Sequence, residues 1–209
     1  KAEIKGLFPT PLYKSILDRE LTSKELKFLD SLTLLNNEFN LSSDNSDILS
    51  AVPLKKLKQE LQKRVDDYFN QIVSPADPIT PYITESWFNI TKPNHKHHNH
   101  KHPNSIVSGV FYLNAATIFF HKHFNATIEI DKKQFNHFNT DTFFENVDTN
   151  EIILFPSELE HSVKTHTGLE DRKSIAFNVF IKGTLGTNSR LKRLSLSFIF
   201  LSINLHFRI

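Results

Sequence analysis

The stretch that decides the fold is HKHPNSIVSGVFYLN, residues 100–114, where a turn rich in His, Pro and Asn runs into β-branched and aromatic residues. Such side chains favour the pleated, half-buried surface of a sheet, so SIVSGVFYL predicts a strand. About seven such strands within roughly a hundred residues predict a β-sandwich or barrel. The other segments of this kind, all after residue 79, are ESWFNIT, TIFFHKHF, ATIEI, TFFENV, EIILFP and SIAFNVFI.

The N-terminal part of the sequence predicts helices instead. Thr22 and, three residues later, Glu25 form a capping-box pattern that marks the start of a helix. Leucines then recur at helical spacing, which predicts a first helix over residues 22–36. The polar stretch 36–50 is rich in Asn, Ser and Asp, so we expect a loop there.

A second helix is predicted over residues 54–73. Pro53 precedes this segment, at a position where its missing N–H costs nothing. Apolar residues form one stripe along the segment, and charged residues cover the other side. Because the helices come first and the strands follow, we expect an α+β fold with helices against one face of a β-sandwich.

Composition restricts the chemistry available to the chain. The sequence has no cysteine and eleven histidines, so disulfides and thiolate chemistry are excluded. Any metal must be held by His, Asp or Glu, a donor set that favours Fe(II), Mn(II) or Zn(II). The net charge of +2 is too small to indicate a nucleic-acid or membrane-surface partner.

The terminal segments contain no apolar stretch suited to a membrane. The first residues lack the apolar core of a signal peptide. Residues 194–207 are apolar but short and interrupted by Ser and Asn, so they do not predict a bilayer span. We therefore expect a cytoplasmic protein.

Five histidines lie between His95 and His102. A tract of this kind can be a solvated loop that merely attracts metal, a tag remnant, or part of a metal site. A metal site needs a distant partner, and His161 in FPSELEHSV follows a predicted strand. An H-x-H pair and a single histidine about sixty residues later fit neighbouring strands of a jelly roll. The spacing alone leaves the solvated loop and the metal site open.

Arg172 and Ser174 follow the distal histidine in the segment DRKSIAFNVF. Residues two apart on a strand point to the same face, so both side chains can lie inside the sandwich. There the guanidinium and the hydroxyl can bind a ligand carboxylate together. Alternatively, Arg172 lies exposed at the start of the strand and pairs with Asp171 or Glu170.

These segments together resemble a known family. Over about residues 7–186 the sequence is similar to 2-oxoglutarate- and Fe(II)-dependent oxygenases of marine bacteria and phages, which are related to prolyl 4-hydroxylases. The resemblance implies a double-stranded β-helix, or jelly roll, over about 79–183 within an oxygenase domain spanning 1–186. The tail 187–209 is then a final strand, a partner-binding segment or sequence from a shifted reading frame. The blocks that carry the resemblance are LFPTPLY, ESWFNITKP, HKHPNSIVSGVFYLN, FNTDTFFENVDTNEIILFPSELEHSV and RKSIAFNVFIKGTLG.

The resemblance implies that His100, His102 and His161 are metal ligands. The wider superfamily usually has Asp or Glu where this sequence has His102, and no H-x-D or H-x-E occurs in the chain. The site is therefore either a three-histidine site, or His102 lies behind the ligands and a carboxylate such as Glu160, or water, takes its place. Iron and zinc both accept histidine-rich sites.

The resemblance also implies a co-substrate and a reaction. Fe(II) and 2-oxoglutarate would support hydroxylation of a small molecule or a peptide by O₂. A cupin-like metal protein with another reaction and a jelly-roll binding module without catalysis are the alternatives. Self-association through the apolar tail is left open. The residues expected to bind 2-oxoglutarate are Arg172, Ser174, Tyr112 and Asn178.

Overall fold

Most strands of the molecule belong to the larger of two antiparallel sheets. The computed structural model describes residues 2–37, 40–122 and 130–186, and the backbone of 194–196. In spatial order the sheet contains β1 (Tyr13–Ile16), β9 (Glu151–Pro156), β6 (Val107–Tyr112), β11 (Arg172–Leu185), β4 (Ile79–Thr91), β3 (Asn40–Ser43) and β2 (Leu34–Asn37), with β12 (Leu194–Leu196) paired to β11.

The smaller sheet faces the larger one and completes the predicted jelly roll. Its core side chains meet those of the larger sheet in a buried cluster that includes Ile118, Phe120, Tyr112 and Phe155. These apolar contacts between the inner faces hold the sheets together. In spatial order the smaller sheet contains β5 (His97–His100), β10 (Glu160–Val163), β7 (Ala116–His121) and β8 (Thr142–Val147).

Two helices pack on the outer face of the larger sheet. They are α1 (Ser23–Asp30) and α2 (Lys55–Tyr68), and one π-helical turn, Phe69–Val73, extends the second. Leu57 and Leu61 of α2 are fully buried in one cluster with residues of the sheet. The α+β prediction is therefore confirmed. No helix in the described ranges is long and apolar enough to cross a membrane.

The first helix is shorter than the sequence pattern predicts. The capping box forms as expected, but α1 ends at Asp30, and Leu34–Asn37 form β2 instead of continuing the helix to residue 36. Thr and Asn have low helix propensity, and β2 pairs with β3, which in turn pairs with β4. Sheet pairing therefore outweighs the leucine spacing that predicted a longer helix.

The expected loop over residues 36–50 is also partly wrong. It contains β3 and a 3₁₀ turn, Ile48–Ser50, in which Ile48 is fully buried. Ser42 of β3 donates a hydrogen bond to Asn89 of β4 at 2.7 Å. Polar composition indicated a loop, whereas pairing with the edge of β4 gives these residues their hydrogen-bond partners.

Two predicted segments fall largely outside the described residues. ATIEI lies at 126–130, of which 126–129 are not described. Of the tail 187–209, only Leu194–Leu196 is described, as a strand paired with the end of β11. The division into a domain over 1–186 and a tail stays a prediction.

A glycine in β6 leaves room for side chains of the two neighbouring strands, β9 and β11. Gly109 of β6 lies in register between Phe177 of β11 and Leu154 of β9. A Cβ atom at position 109 would lie 2.2 Å from the Phe177 ring and 2.8 Å from Leu154 Cδ2. The Phe177 ring therefore occupies the space that a side chain would fill.

Candidate metal centre and co-substrate cavity

Neighbouring strands bring the first two histidines of the candidate metal centre together. β5 pairs with β10 so that His100 lies opposite His161. His102 follows just beyond the end of β5, and its backbone N–H donates to the Ser157 carbonyl at 3.2 Å. The potential ligand atoms of the three histidines all lie within 4.8 Å of one another. The structure thus gathers the three histidines that the sequence singled out.

Hydrogen bonds define the tautomer of two of these histidines. His100 Nδ1 lies 2.8 Å from the carbonyl oxygen of His98, and His161 Nδ1 lies 3.0 Å from the carbonyl oxygen of Leu159. A carbonyl oxygen only accepts, so each Nδ1 carries the proton. The Nε2 lone pair of each ring is therefore free to bind a metal.

A side chain defines the tautomer of His102. Its Nδ1 lies 2.7 Å from Oδ1 of Asn178, and the Asn178 amide nitrogen donates to Oε2 of Glu85 at 3.0 Å. Because the carboxylate only accepts, it fixes the orientation of the amide. The indole of Trp87 stacks against the His102 ring, with 5.4 Å between ring centroids. His102 thus also has a free Nε2 lone pair.

Burial keeps the cluster neutral. It lowers the pKa of His161 to about 2, with the charge of His100 as a further cause. Burial likewise lowers the pKa of His100 and of His102, and for His102 the Asn178 hydrogen bond and the charge of Glu85 oppose the shift. Neutral imidazoles are the form that binds metal.

The donor set fits a borderline divalent ion. Within the described residues the cluster consists of three histidines and contains no carboxylate, and imidazole nitrogens suit Fe(II) and Zn(II). The Phe155 ring packs edge-on against His161 at 4.8 Å between centroids, and Phe120 lies 6.5 Å away. These rings give the centre an apolar wall on one side.

A small cavity of about 50 Å³ extends from the histidines to Arg172. The Arg172 side chain is only 8% exposed, and Nη2 donates to the Thr91 hydroxyl at 2.8 Å. In the described part of the chain no carboxylate pairs with Arg172, and burial lowers the pKa of its guanidinium. The alternative of an exposed Arg172 paired with Asp171 or Glu170 is therefore wrong.

Ser174 and Tyr112 lie opposite each other on adjacent strands and line the same cavity. Tyr112 is 3% exposed, and burial raises the pKa of its phenol. It is therefore a neutral hydroxyl at physiological pH. The predicted common face of Arg172 and Ser174 is confirmed, because both side chains line this cavity.

A wider groove of about 720 Å³ opens on the other side of the histidines. Asn178 lines this groove, together with Trp87, His100 and His102, which also border the inner cavity. Asn178 thus stands on the groove side of β11, in contact with His102, and does not line the cavity that contains Arg172. The groove is also lined by Asn37, Ser42, Tyr82, Thr84, Glu85, His97, His98, Lys101, Pro103, Asn104 and Phe180.

Sequence reasoning missed Glu85 and Thr91 as site residues, whereas the histidine tract had already offered His97 and His98 as further ligand candidates. Glu85, Trp87, Asn89 and Thr91 alternate along β4, and each lines the groove or the cavity. The alternation of ESWFNIT could have found them, since residues two apart on a strand share a face. His97 lines both the groove and the cavity but lies outside the cluster of three potential ligands.

A known protein family matches the part of the chain that contains this site. Residues 85–178 match the model of the family described as "Putative 2OG-Fe(II) oxygenase". The matched range contains the three histidines, Arg172 and Ser174. This part of the chain is therefore similar to the 2OG-Fe(II) oxygenases, a family whose cofactor and co-substrate are Fe(II) and 2-oxoglutarate. No curated protein matches the chain significantly.

Solved structures share the fold. HygX from Streptomyces hygroscopicus, with nickel, 2-oxoglutarate and hygromycin B bound, is 13% identical over 81% of this chain and 82% of its own, with a TM-score of 0.57. The α-ketoglutarate-dependent epimerase SnoN is 9% identical over 82% and 78% (TM-score 0.59). A Pseudomonas putida prolyl-4-hydroxylase is 14% identical over 81% and 92% (TM-score 0.51).

Proposed function

We propose that the chain is a 2-oxoglutarate-dependent dioxygenase in which His100, His102 and His161 hold Fe(II), and that it hydroxylates an organic substrate. The observation that carries this proposal is a single cavity lined by three histidines with free Nε2 atoms and by a buried arginine. Hydrogen bonds hold all three rings in the ligand tautomer.

Arg172 is the residue we propose for the far carboxylate of 2-oxoglutarate. A buried guanidinium is costly unless it is paired, and the co-substrate carboxylate supplies the missing partner through a bidentate contact. The hydroxyls of Ser174 and Tyr112 then donate to the same carboxylate. Thr91 holds the guanidinium in place from behind.

In the proposed reaction the protein positions the metal and the co-substrate and excludes water from the site. When bound, Fe(II) and 2-oxoglutarate supply the oxidation, in which the co-substrate becomes succinate and CO₂ and one oxygen atom of O₂ enters a substrate C–H bond. The three histidine rings would hold the metal where the cavity and the groove meet. Phe120 and Phe155, which pack against His161, would exclude water from that side of the site.

The open groove is our candidate for the substrate. Its size and its access to the histidines suit a small molecule or a peptide side chain. The similar folds of HygX, which was solved with hygromycin B, and of a prolyl-4-hydroxylase are compatible with either class. Asn178, first expected to contact the co-substrate, is assigned here to the groove side. Self-association, a cytoplasmic location and the absence of nucleic-acid and membrane partners stay predictions.

An anaerobic titration tests the proposal. Addition of Fe(II) and 2-oxoglutarate to metal-free protein should give a visible charge-transfer band that requires both components. Exposure to air should bleach the band and release succinate. Fe(II) binding without the band, and without succinate, would contradict the proposal.

The absence of a carboxylate from the cluster supports a second candidate function. A three-histidine metal protein with another reaction would bind Fe(II) or Zn(II) without any dependence on 2-oxoglutarate. The two functions differ in isothermal titration of 2-oxoglutarate into the metal-loaded protein. The oxygenase shows saturable binding that needs Arg172, and the rival shows none.

A further inference from the structure

A carboxylate lies one side chain beyond the histidine cluster. Glu85 of β4 accepts a hydrogen bond from Asn178 at 3.0 Å, and Asn178 accepts one from His102 at 2.7 Å. A continuous chain of carboxylate, amide and imidazole thus leads to the free Nε2 of His102. The two other histidines donate to backbone carbonyls instead.

The direction of every hydrogen bond in this relay follows from Glu85. The carboxylate accepts and cannot donate, so it holds the NH₂ group of Asn178 and turns Oδ1 towards His102. If the amide were reversed, its NH₂ group would face Nδ1, and the proton of the ring would move to Nε2. That tautomer cannot bind a metal through Nε2.

The relay also places a negative charge near a centre that has none of its own. Three neutral imidazoles leave the charge of a divalent ion uncompensated, whereas a carboxylate behind a histidine raises the basicity of that ligand. An intervening amide transmits this effect by polarisation along the hydrogen bonds. The stacked indole of Trp87 keeps the His102 ring in the plane that the relay requires.

We infer that Glu85 is a positioning residue for the metal centre: through Asn178 it fixes the tautomer of His102 and supplies the charge that a carboxylate ligand would otherwise provide. This inference rests on the proposed function, since it takes His102 as a ligand. It assigns to Glu85 a role that neither the histidine motif nor the family match specifies.

The test measures Zn(II) affinity by competition with a chelator. Glu85→Gln keeps the length of the side chain and an oxygen that can accept from Asn178, but it removes the charge. We expect the dissociation constant for Zn(II) to rise about 10-fold or more, the range found for groups behind metal ligands. Glu158→Gln, which removes an exposed carboxylate near β10, should leave the affinity unchanged.

A double variant that moves the carboxylate from position 85 to position 178 should restore Zn(II) affinity. In Glu85→Gln/Asn178→Asp the carboxylate moves next to His102 and accepts directly from Nδ1–H, so Zn(II) affinity should return to within about 3-fold of the wild type. Circular dichroism and urea unfolding of the metal-free variants verify the fold, and Glu85 is exposed enough to tolerate the change.

Three results would overturn the inference, and they are distinguishable. Unchanged affinity in Glu85→Gln shows that the charge is irrelevant, as a merely structural role predicts. Loss without recovery in a folded double variant contradicts the relay. If the wild-type chain binds neither Zn(II) nor Fe(II), the proposed metal centre itself is wrong. If the wild type binds metal and 2-oxoglutarate and Glu85→Gln has the same affinity, only the role of Glu85 is wrong.

Discussion

Single residues in this site owe their chemistry to burial. His161 is 5% exposed, and its pKa falls to about 2, while that of His97 falls to about 3, also mainly through burial. These rings are neutral at physiological pH, so metal binding does not have to displace a proton from them. Burial also lowers the pKa of the Arg172 guanidinium, and among the described residues no carboxylate pairs with it.

Among the three proposed ligands, loss of His161 should weaken metal binding most. His161 lies on β10, whereas the other two ligands both belong to the histidine tract. We expect His161→Ala to weaken Zn(II) binding by more than about 100-fold, beyond the range for groups behind the ligands. Chelator competition measures the change, with His137→Ala, an exposed histidine on a loop, as the control. Full affinity in the folded variant would mean that the tract alone binds the metal.

Arg172→Ala should separate co-substrate binding from metal binding. Loss of a charge-assisted pair weakens 2-oxoglutarate binding by about 10- to 100-fold, while Zn(II) affinity stays nearly unchanged. Calorimetry on the metal-loaded protein measures both. Lys173→Ala is the control, because Lys173 pairs with Asp30 on the surface. Equal loss of both affinities would indicate misfolding and not a missing contact.

At the level of elements, strand pairing was harder to predict than strand existence. EIILFP, SIVSGVFYL and SIAFNVFI became β9, β6 and β11 because β-branched and aromatic runs predict strands directly. The sequence did not predict β2, β3 or β5, because their Asn, Ser and His residues do not favour strands. These segments pair because the edge of a neighbouring strand is available.

Gly109 tests the packing of the larger sheet. Gly109→Ala places a methyl group against the fully buried Phe177 ring and against Leu154. Overpacking of this kind should lower the free energy of unfolding by about 1–3 kcal/mol. Urea unfolding measures the loss, and Gly6→Ala, where the added Cβ would lie at an ordinary van der Waals distance of 3.9 Å from a Phe138 ring carbon, should be close to neutral. Equal urea midpoints for the two variants would show that the core accommodates the methyl group at position 109 without loss of stability.

At the level of the whole molecule, the site couples stability to pH. A histidine with a lowered pKa binds protons more readily in the unfolded chain, whose pKa is near 6.5. Stability from these groups is therefore fully present above about pH 6.5 and declines as the pH falls below it.

We expect the urea midpoint of metal-free protein to be flat from pH 8 to about 6.5 and to fall between about 6.5 and 5, above the range where carboxylates titrate. His161→Gln removes one of the groups responsible and should make the profile shallower. A midpoint that does not change across this range would contradict the assigned burial of the cluster.

The sequence by itself determined the residue types of this site and most of its strands. The absence of cysteine restricted the metal donors to His, Asp and Glu, and alternation placed Arg172 and Ser174 on one face. These features are local, because composition and a period of two residues can be read along the chain without knowledge of its partners.

Only the tertiary structure decided how these residues meet. The pairing of β5 with β10 placed His100 opposite His161, and the contact between β4 and β11 linked Glu85 to Asn178 and His102. Such contacts join residues distant in sequence, and each depends on the register of a strand. Register is fixed by the packing of the whole sheet, so no local pattern specifies it.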